Sequence, residues 1–152
     1  MTLLLSIETS TPICSIALHN TGELLGHQQV IGDKTHSTEL TLMIEKLFNE
    51  CSVTYNDLSA IAISSGPGSY TGLRIGTSTA KGLCFALDIP LISVSTLEAL
   101  AYSIKEEDDN YLICPMLDAR RMEVYCMLLT KDYQIIQSVE AKIIDENSFE
   151  NE

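Results

Sequence analysis

Ser65-Gly66-Pro67-Gly68-Ser69-Tyr70-Thr71-Gly72-Leu73-Arg74-Ile75-Gly76 joins an apolar run, Ala60-Ile61-Ala62-Ile63, to a helix-like segment that ends near Asp88. Strand, glycine-rich turn, helix is a geometry that can offer backbone N–H groups to an anion at a helix N-terminus. Gly66 and Gly68 flank Pro67 and permit backbone angles that other residues resist. Gly72, Gly76 and Ala80 recur every four residues and leave one helix face nearly bare. A bare face lets another backbone approach. The turn therefore holds a phosphate, or the helix holds a partner, or the stripe is plain close packing within the domain.

The 152 residues suit one domain or two small lobes, and 45% hydrophobic with 20% charged residues fits a globular core. No apolar run approaches the roughly 18 residues of a membrane span. Met1-Thr2-Leu3-Leu4-Leu5-Ser6 lacks a basic flank and reads as a first strand, not a signal peptide. Five cysteines (14, 51, 84, 114, 126) are odd in number and lie in apolar segments, which predicts reduced thiols and a cytoplasmic location. A formal charge of −12 repels a phosphate backbone, so direct nucleic-acid binding by this chain alone is disfavoured.

The periodicity predicts strands over Leu3–Ile7, Ile13–His19 and Leu24–Ile31, an antiparallel meander turned at Asn20–Glu23. A helix is expected over His36–Glu50, where Leu40, Met43, Ile44, Leu47 and Phe48 form one apolar stripe, with Thr35 or Ser37 as cap. Strand Ser59–Ser64, helix Thr71–Leu87 and strand Leu91–Val94 follow. Ser95-Thr96-Leu97-Glu98 is a capping box opening a helix to about Ile104. The charged run Lys105–Asn110 marks a boundary, giving a first lobe over 1–105 and the start of a second over 106–152. Strands at Tyr111–Leu117, Met122–Leu129 and Tyr133–Val139 then repeat the opening meander with a shift of 110, Glu8 meeting Asp118 and Leu18 meeting Leu128. No helices follow to cover the second sheet, so one of its faces is expected to be exposed or covered by another chain. The chain is then a fragment, or its second lobe is reduced.

Two meanders with an acid at the first turn resemble the actin-like, sugar-kinase-like and Hsp70-like ATPase fold (ribonuclease H-like), a mixed α/β sheet flanked by helices. Ile7-Glu8-Thr9-Ser10-Thr11, His36-Ser37, the Ser65–Gly76 stretch, Ala80-Lys81-Gly82-Leu83, Val94-Ser95-Thr96-Leu97 and Leu117-Asp118-Ala119-Arg120-Arg121-Met122-Glu123-Val124-Tyr125 occur in that order. Together they resemble the TsaB (YeaZ) family over nearly the whole chain. The resemblance implies the non-catalytic subunit of the machinery that makes N6-threonylcarbamoyladenosine at position 37 of transfer RNA. It implies binding to the catalytic paralogue TsaD, completion by the ATPase TsaE, and homodimers through the same helical face. Many relatives carry Asp where this chain has Glu8.

Leu40, Met43, Ile44, Leu47, Leu73, Arg74, Gly76 and Ala80 are the expected partner interface, with Leu73 and Arg74 as exposed anchors. On that expectation, Leu47→Asp or Leu73→Asp breaks the complex and leaves the fold intact. Glu8, Gly66, Gly68, Ser69, Thr71, Gly72, Asp118, Arg120 and Arg121 are the nucleotide or cleft candidates, with ATP or ADP at the partner interface as the one cofactor in view. The loop is not a Walker A motif, since no Gly-Lys-Ser/Thr closes it. Asp118, Arg120, Arg121 and Glu123 form either a local ion-pair cluster or a contact with a partner or ligand. His19, His27 and His36 make no His-x-x-x-His pair, and there is no Cys-x-x-Cys, so no metal site is expected. The resemblance implies that the catalytic paralogue carries such a histidine pair, so no catalytic residue is expected in this chain. Cys14 and Cys84 read as small core residues. The rival is an ATPase or phosphotransferase acting alone through Glu8, Asp118 and Gly66–Gly72. A peptidase has no supporting pattern.

Overall fold

In the computed structural model, β1 (Leu3–Glu8), β2 (Ile13–Asn20) and β3 (Glu23–Ile31) form the expected meander. The description covers residues 2–32, 36–104, 111–146 and 148–149. Helix α1 (His36–Glu50), a 3₁₀ turn (Tyr55–Asp57), β4 (Leu58–Ser64), α2 (Tyr70–Leu87) and β5 (Leu91–Val94) complete the first unit. The five strands run in the order β3-β2-β1-β4-β5. β4 joins β1 in parallel, and the chain between them is long and carries α1, as a parallel pair requires.

Period-two alternation sends Leu3, Leu5, Ile7, Cys14, Ile16 and Leu18 to one sheet face. The α1 stripe meets them there. Leu40, Met43, Ile44, Leu47 and Phe48 belong to the same buried cluster as those strand residues and Ala80 and Cys84 of α2. Thr35, one of the two expected caps of α1, lies outside the described residues. His36 ties the start of α1 to the first turn by donating from Nε2 to the Thr11 carbonyl at 2.9 Å.

The chain forms two compact units, Met1–Val94 and Ser95–Glu152. The expected boundary at 105/106 lies outside the described residues. Helix α3 (Thr96–Ala101) is shorter than expected, with Tyr102 as its C-cap. Ser95 caps it, accepting from the Glu98 N–H at 3.4 Å. Expected within the first lobe, α3 instead packs in the second unit, where Leu97 and Ala101 share a cluster with Ile113, Met127 and Leu129. Among the described residues, the second sheet thus has one short helix of its own.

That sheet is a meander in outline. The expected strand Tyr111–Leu117 is two pieces, β6 (Leu112–Ile113) and β7 (Met116–Arg120), both paired to β8 (Glu123–Thr130). Pro115 stands in the gap, and a proline has no N–H to give to a ladder. β9 (Ile135–Ile143) runs along the other side of β8 and extends beyond its expected end at Val139.

Candidate functional site

Three segments of the first unit converge around Glu8. Its Oε1 accepts from the Ser10 N–H at 2.6 Å, and its Oε2 accepts from the Ser64 hydroxyl. One carboxylate therefore ties the end of β1 to its own turn and to the end of β4. Both oxygens are engaged within the chain. Ser64 and Ser10, which the sequence does not single out, are what hold it.

The glycine-rich stretch closes over the same turn. The Ser69 N–H donates to the Ser10 carbonyl at 2.6 Å. Ser69 is also the N-cap of α2, its hydroxyl accepting from the Gly72 N–H at 3.3 Å. A Cβ at Gly72 would overlap the Thr9 carbonyl. One at Gly76 would overlap the Thr9 hydroxyl and stand 3.0 Å from Ile63 Cδ1. Gly68 sits at φ 152°, where a Cβ would come 2.6 Å from that of Ser10. The bare helix face is thus filled by the chain's own Thr9–Ser10 turn. Thr9 and Ser10 are buried, and their hydroxyls have no hydrogen-bond partner among the described residues. Thr71, by contrast, is exposed.

The expected interface residues need correction. Leu40, Met43, Ile44, Leu47, Gly76 and Ala80 all face the core of the first unit. Leu47 is 1% exposed, so an aspartate there would unfold the chain before it tested an interface. Leu73 is half-buried, its Cδ1 3.4 Å from where a Gly66 Cβ would stand. Of the eight, only Arg74 is exposed, its guanidinium 5.5 Å from the Tyr70 ring centroid.

The outer side of α2 carries what the sequence does not reveal. Phe85 is 91% exposed and Tyr70 74%. Between them Gly82 has nothing within 4 Å of an added Cβ. Leu42, 58% exposed, lies on the side of α1 opposite its core stripe. Leu83-Cys84-Phe85-Ala86-Leu87 is apolar throughout, so its pattern alone does not show which residue points out.

Asp118, Arg120 and Arg121 lie in the second unit, at the turn between β7 and β8. Asp118 Oδ1 accepts from the Arg120 N–H at 2.7 Å. Of the two readings of this cluster, the local ion pairs do not form among the described residues: neither arginine pairs with a carboxylate there. The thiols are not primed for attack. Burial, then the Glu8 and Glu39 charges, push the Cys14 thiol up, and burial pushes Cys84 up.

The family model for TsaD, tRNA N6-adenosine threonylcarbamoyltransferase, matches residues 29–150. The chain is 38% identical over 136 residues to the tRNA threonylcarbamoyladenosine biosynthesis protein TsaB of Bacillus subtilis, covering 90% of this chain and 58% of that protein. It is 30% identical over 151 residues to the TsaB protein of Buchnera aphidicola subsp. Acyrthosiphon pisum, covering 95% of this chain and 68% of that one. The chain belongs to the TsaB (YeaZ) family.

YeaZ from Pseudomonas aeruginosa superposes with a TM-score of 0.83 at 32% identity, over 96% of this chain and 70% of its own. The B. subtilis tRNA N6-adenosine threonylcarbamoyltransferase is also 38% identical, but over 79 residues, 52% of this chain and 23% of the enzyme. The B. subtilis TsaB therefore matches more of this chain than the B. subtilis transferase does. The activator of the 2-hydroxyisocaproyl-CoA dehydratase from Clostridium difficile superposes with a TM-score of 0.53 at 15% identity, which places the fold in the actin-like class. The chain spans 51–58% of the length of the TsaB proteins of B. subtilis and Haemophilus influenzae. No helix among the described residues is long and apolar enough to cross a membrane.

Proposed function

We propose that this chain acts as a non-catalytic subunit in making N6-threonylcarbamoyladenosine at position 37 of transfer RNA, by docking on a TsaD-type transferase. Docking uses the outer side of α2, with Phe85 as the apolar anchor and Tyr70 and Arg74 as the polar edge. The observation that carries the reading is the pairing of Phe85 with Gly82. A phenylalanine 91% exposed on a helix is costly in water. A glycine inside a helix lowers stability, and packing among the described residues gives no reason for this one. A second helix crossing at Gly82 explains both, since it can come close there and cover Phe85.

The non-catalytic role is supported by Glu8. In an ATPase of this fold the acid ending β1 must be free to orient metal-bound water. Here both its oxygens are taken by Ser10 and Ser64. Without a partner, the same α2 surface pairs with a second copy of the chain. TsaE-type ATPases join through the complex, and a nucleotide, if one binds, does so where chains meet. The chain works by binding the competent state of its partner better than other states. Its place is the cytoplasm, where transfer RNA is modified.

Light scattering during size-exclusion chromatography tests this. A homodimer alone, replaced by a one-to-one complex when the TsaD-type protein of the same organism is added, is the expected result. A monomer that ignores that protein contradicts the proposal.

A further inference from the structure

The first turns of the two units are counterparts, yet one is covered and the other is bare. Thr9 and Ser10 are buried beneath the glycine face of α2, at 0% and 2% exposure. Their counterparts at a shift of 110 begin Ala119-Arg120-Arg121-Met122. There both arginines are exposed, and Met122 is 74% exposed. Arg120, Arg121 and Met122 all have positive φ, at 72°, 56° and 63°, an arrangement that side-chain-bearing residues rarely adopt in succession. The turn is pinned on both flanks. The Arg120 N–H donates to Asp118 at 2.7 Å, and the Ile144 N–H donates to the Met122 carbonyl at 3.0 Å.

The nearby charges leave the arginines unmatched. Asp118 is engaged by the backbone of the turn. Glu123, paired across the strands with Arg120, forms no ion pair with it among the described residues. Lys142, on β9, packs its ammonium over the Phe149 ring at 4.0 Å. In a chain of net charge −12, two adjacent guanidiniums that form no ion pair among the described residues stand out.

We propose that this β7–β8 tip is a second docking element, separate from the α2 face, that seats on a carboxylate-bearing surface of the TsaD-type partner. It rests on the docking reading above. Arginine forks match carboxylates bidentately, and arginine and methionine are both enriched where proteins meet. The chain's own acidity argues against RNA as the occupant, because the phosphates approaching the tip would meet the rest of that charge. The side chains exclude a glycine-faced helix like α2, which needs residues as small as Thr9 and Ser10 beneath it. A turn backbone already pinned on both flanks lowers the ordering cost of the contact.

The test titrates the full chain into the TsaD-type protein of the same organism by calorimetry, at low and at physiological salt. Arg120→Gly/Arg121→Gly removes both guanidiniums, and glycine adopts positive φ readily, so the turn persists. The expected result is binding weakened by about tenfold at low salt, with the salt dependence of the wild type largely gone. Wild-type affinity and salt dependence in the double variant overturn the tip alone. Absence of binding by the wild-type chain overturns the docking reading and the tip with it. A parallel anisotropy titration with transfer RNA separates the remaining source: loss of RNA binding at unchanged TsaD affinity overturns the proposal in favour of a phosphate contact.

Discussion

Glu8 and Asp118 hold the same position in two meanders and bend the backbone in the same way. Each carboxylate accepts from the N–H two residues further on, Ser10 at 2.6 Å and Arg120 at 2.7 Å. In each meander an acid on the first strand satisfies a backbone N–H of the next turn from within. The two then diverge. Glu8 gains a second partner in Ser64 and is locked into the first sheet, whereas Asp118 holds up an exposed turn.

Glu8→Ala leaves the Ser64 hydroxyl and the Ser10 amide without their acceptor. A loss of roughly 1–3 kcal/mol is expected. Urea unfolding measures it. Since Glu8 is structural in this view, TsaD affinity at a temperature where the variant is folded should match the wild type.

Gly72→Ala and Gly76→Ala force a methyl group into Thr9. Overpacking of this kind costs about 1–3 kcal/mol, and more where the obstacle is backbone, as at Gly72. Thermal unfolding should rank Gly72→Ala as the more damaging, because a carbonyl cannot swing aside as a hydroxyl can.

Gly82→Ala should do the opposite. The added methyl meets nothing, and alanine is favoured over glycine within a helix by about 1 kcal/mol. The melting temperature of the isolated chain should rise while its affinity for the TsaD-type partner falls. A rise in both would mean that no backbone comes close at this position.

Alkaline pH should destabilise the first unit. Cys14 and Cys84 are raised above the ordinary thiol value of 9.0 in the fold. The folded chain therefore holds these protons longer than the unfolded chain. The stabilisation is fully present below the ordinary value and is lost as pH climbs through and above it. Urea midpoints across that range should fall, and a Cys14→Ala variant should flatten the slope.

Much of the fold is legible in the chain because local and tertiary demands agree. Strands β1 and β2 alternate cleanly, α1 carries an unbroken stripe, and Ser95 stands where a cap must. The repeat at a shift of 110 is visible in the meander pattern and in Glu8 and Asp118, and the structure gives both acids the same hydrogen bond. Other features depend on what lies across space. The glycine stripe shows that something comes close to α2 but does not name it, and the occupant is Thr9. The α1 stripe fits a core and an interface equally well, and burial of Leu47 decides for the core. Phe85 is hidden within an apolar run, and Gly82 falls outside the four-residue spacing. The break at Pro115 follows from its missing N–H, a signal present in the sequence but outweighed there by the apolar residues around it.

The affinity of Phe85→Asp for the TsaD-type protein, measured beside its unfolding curve, tests the docking proposal most directly. A side chain 91% exposed can take a charge without cost to the fold, so wild-type stability with binding lost is the predicted result. A folded Phe85→Asp chain that binds as tightly as the wild type would contradict it.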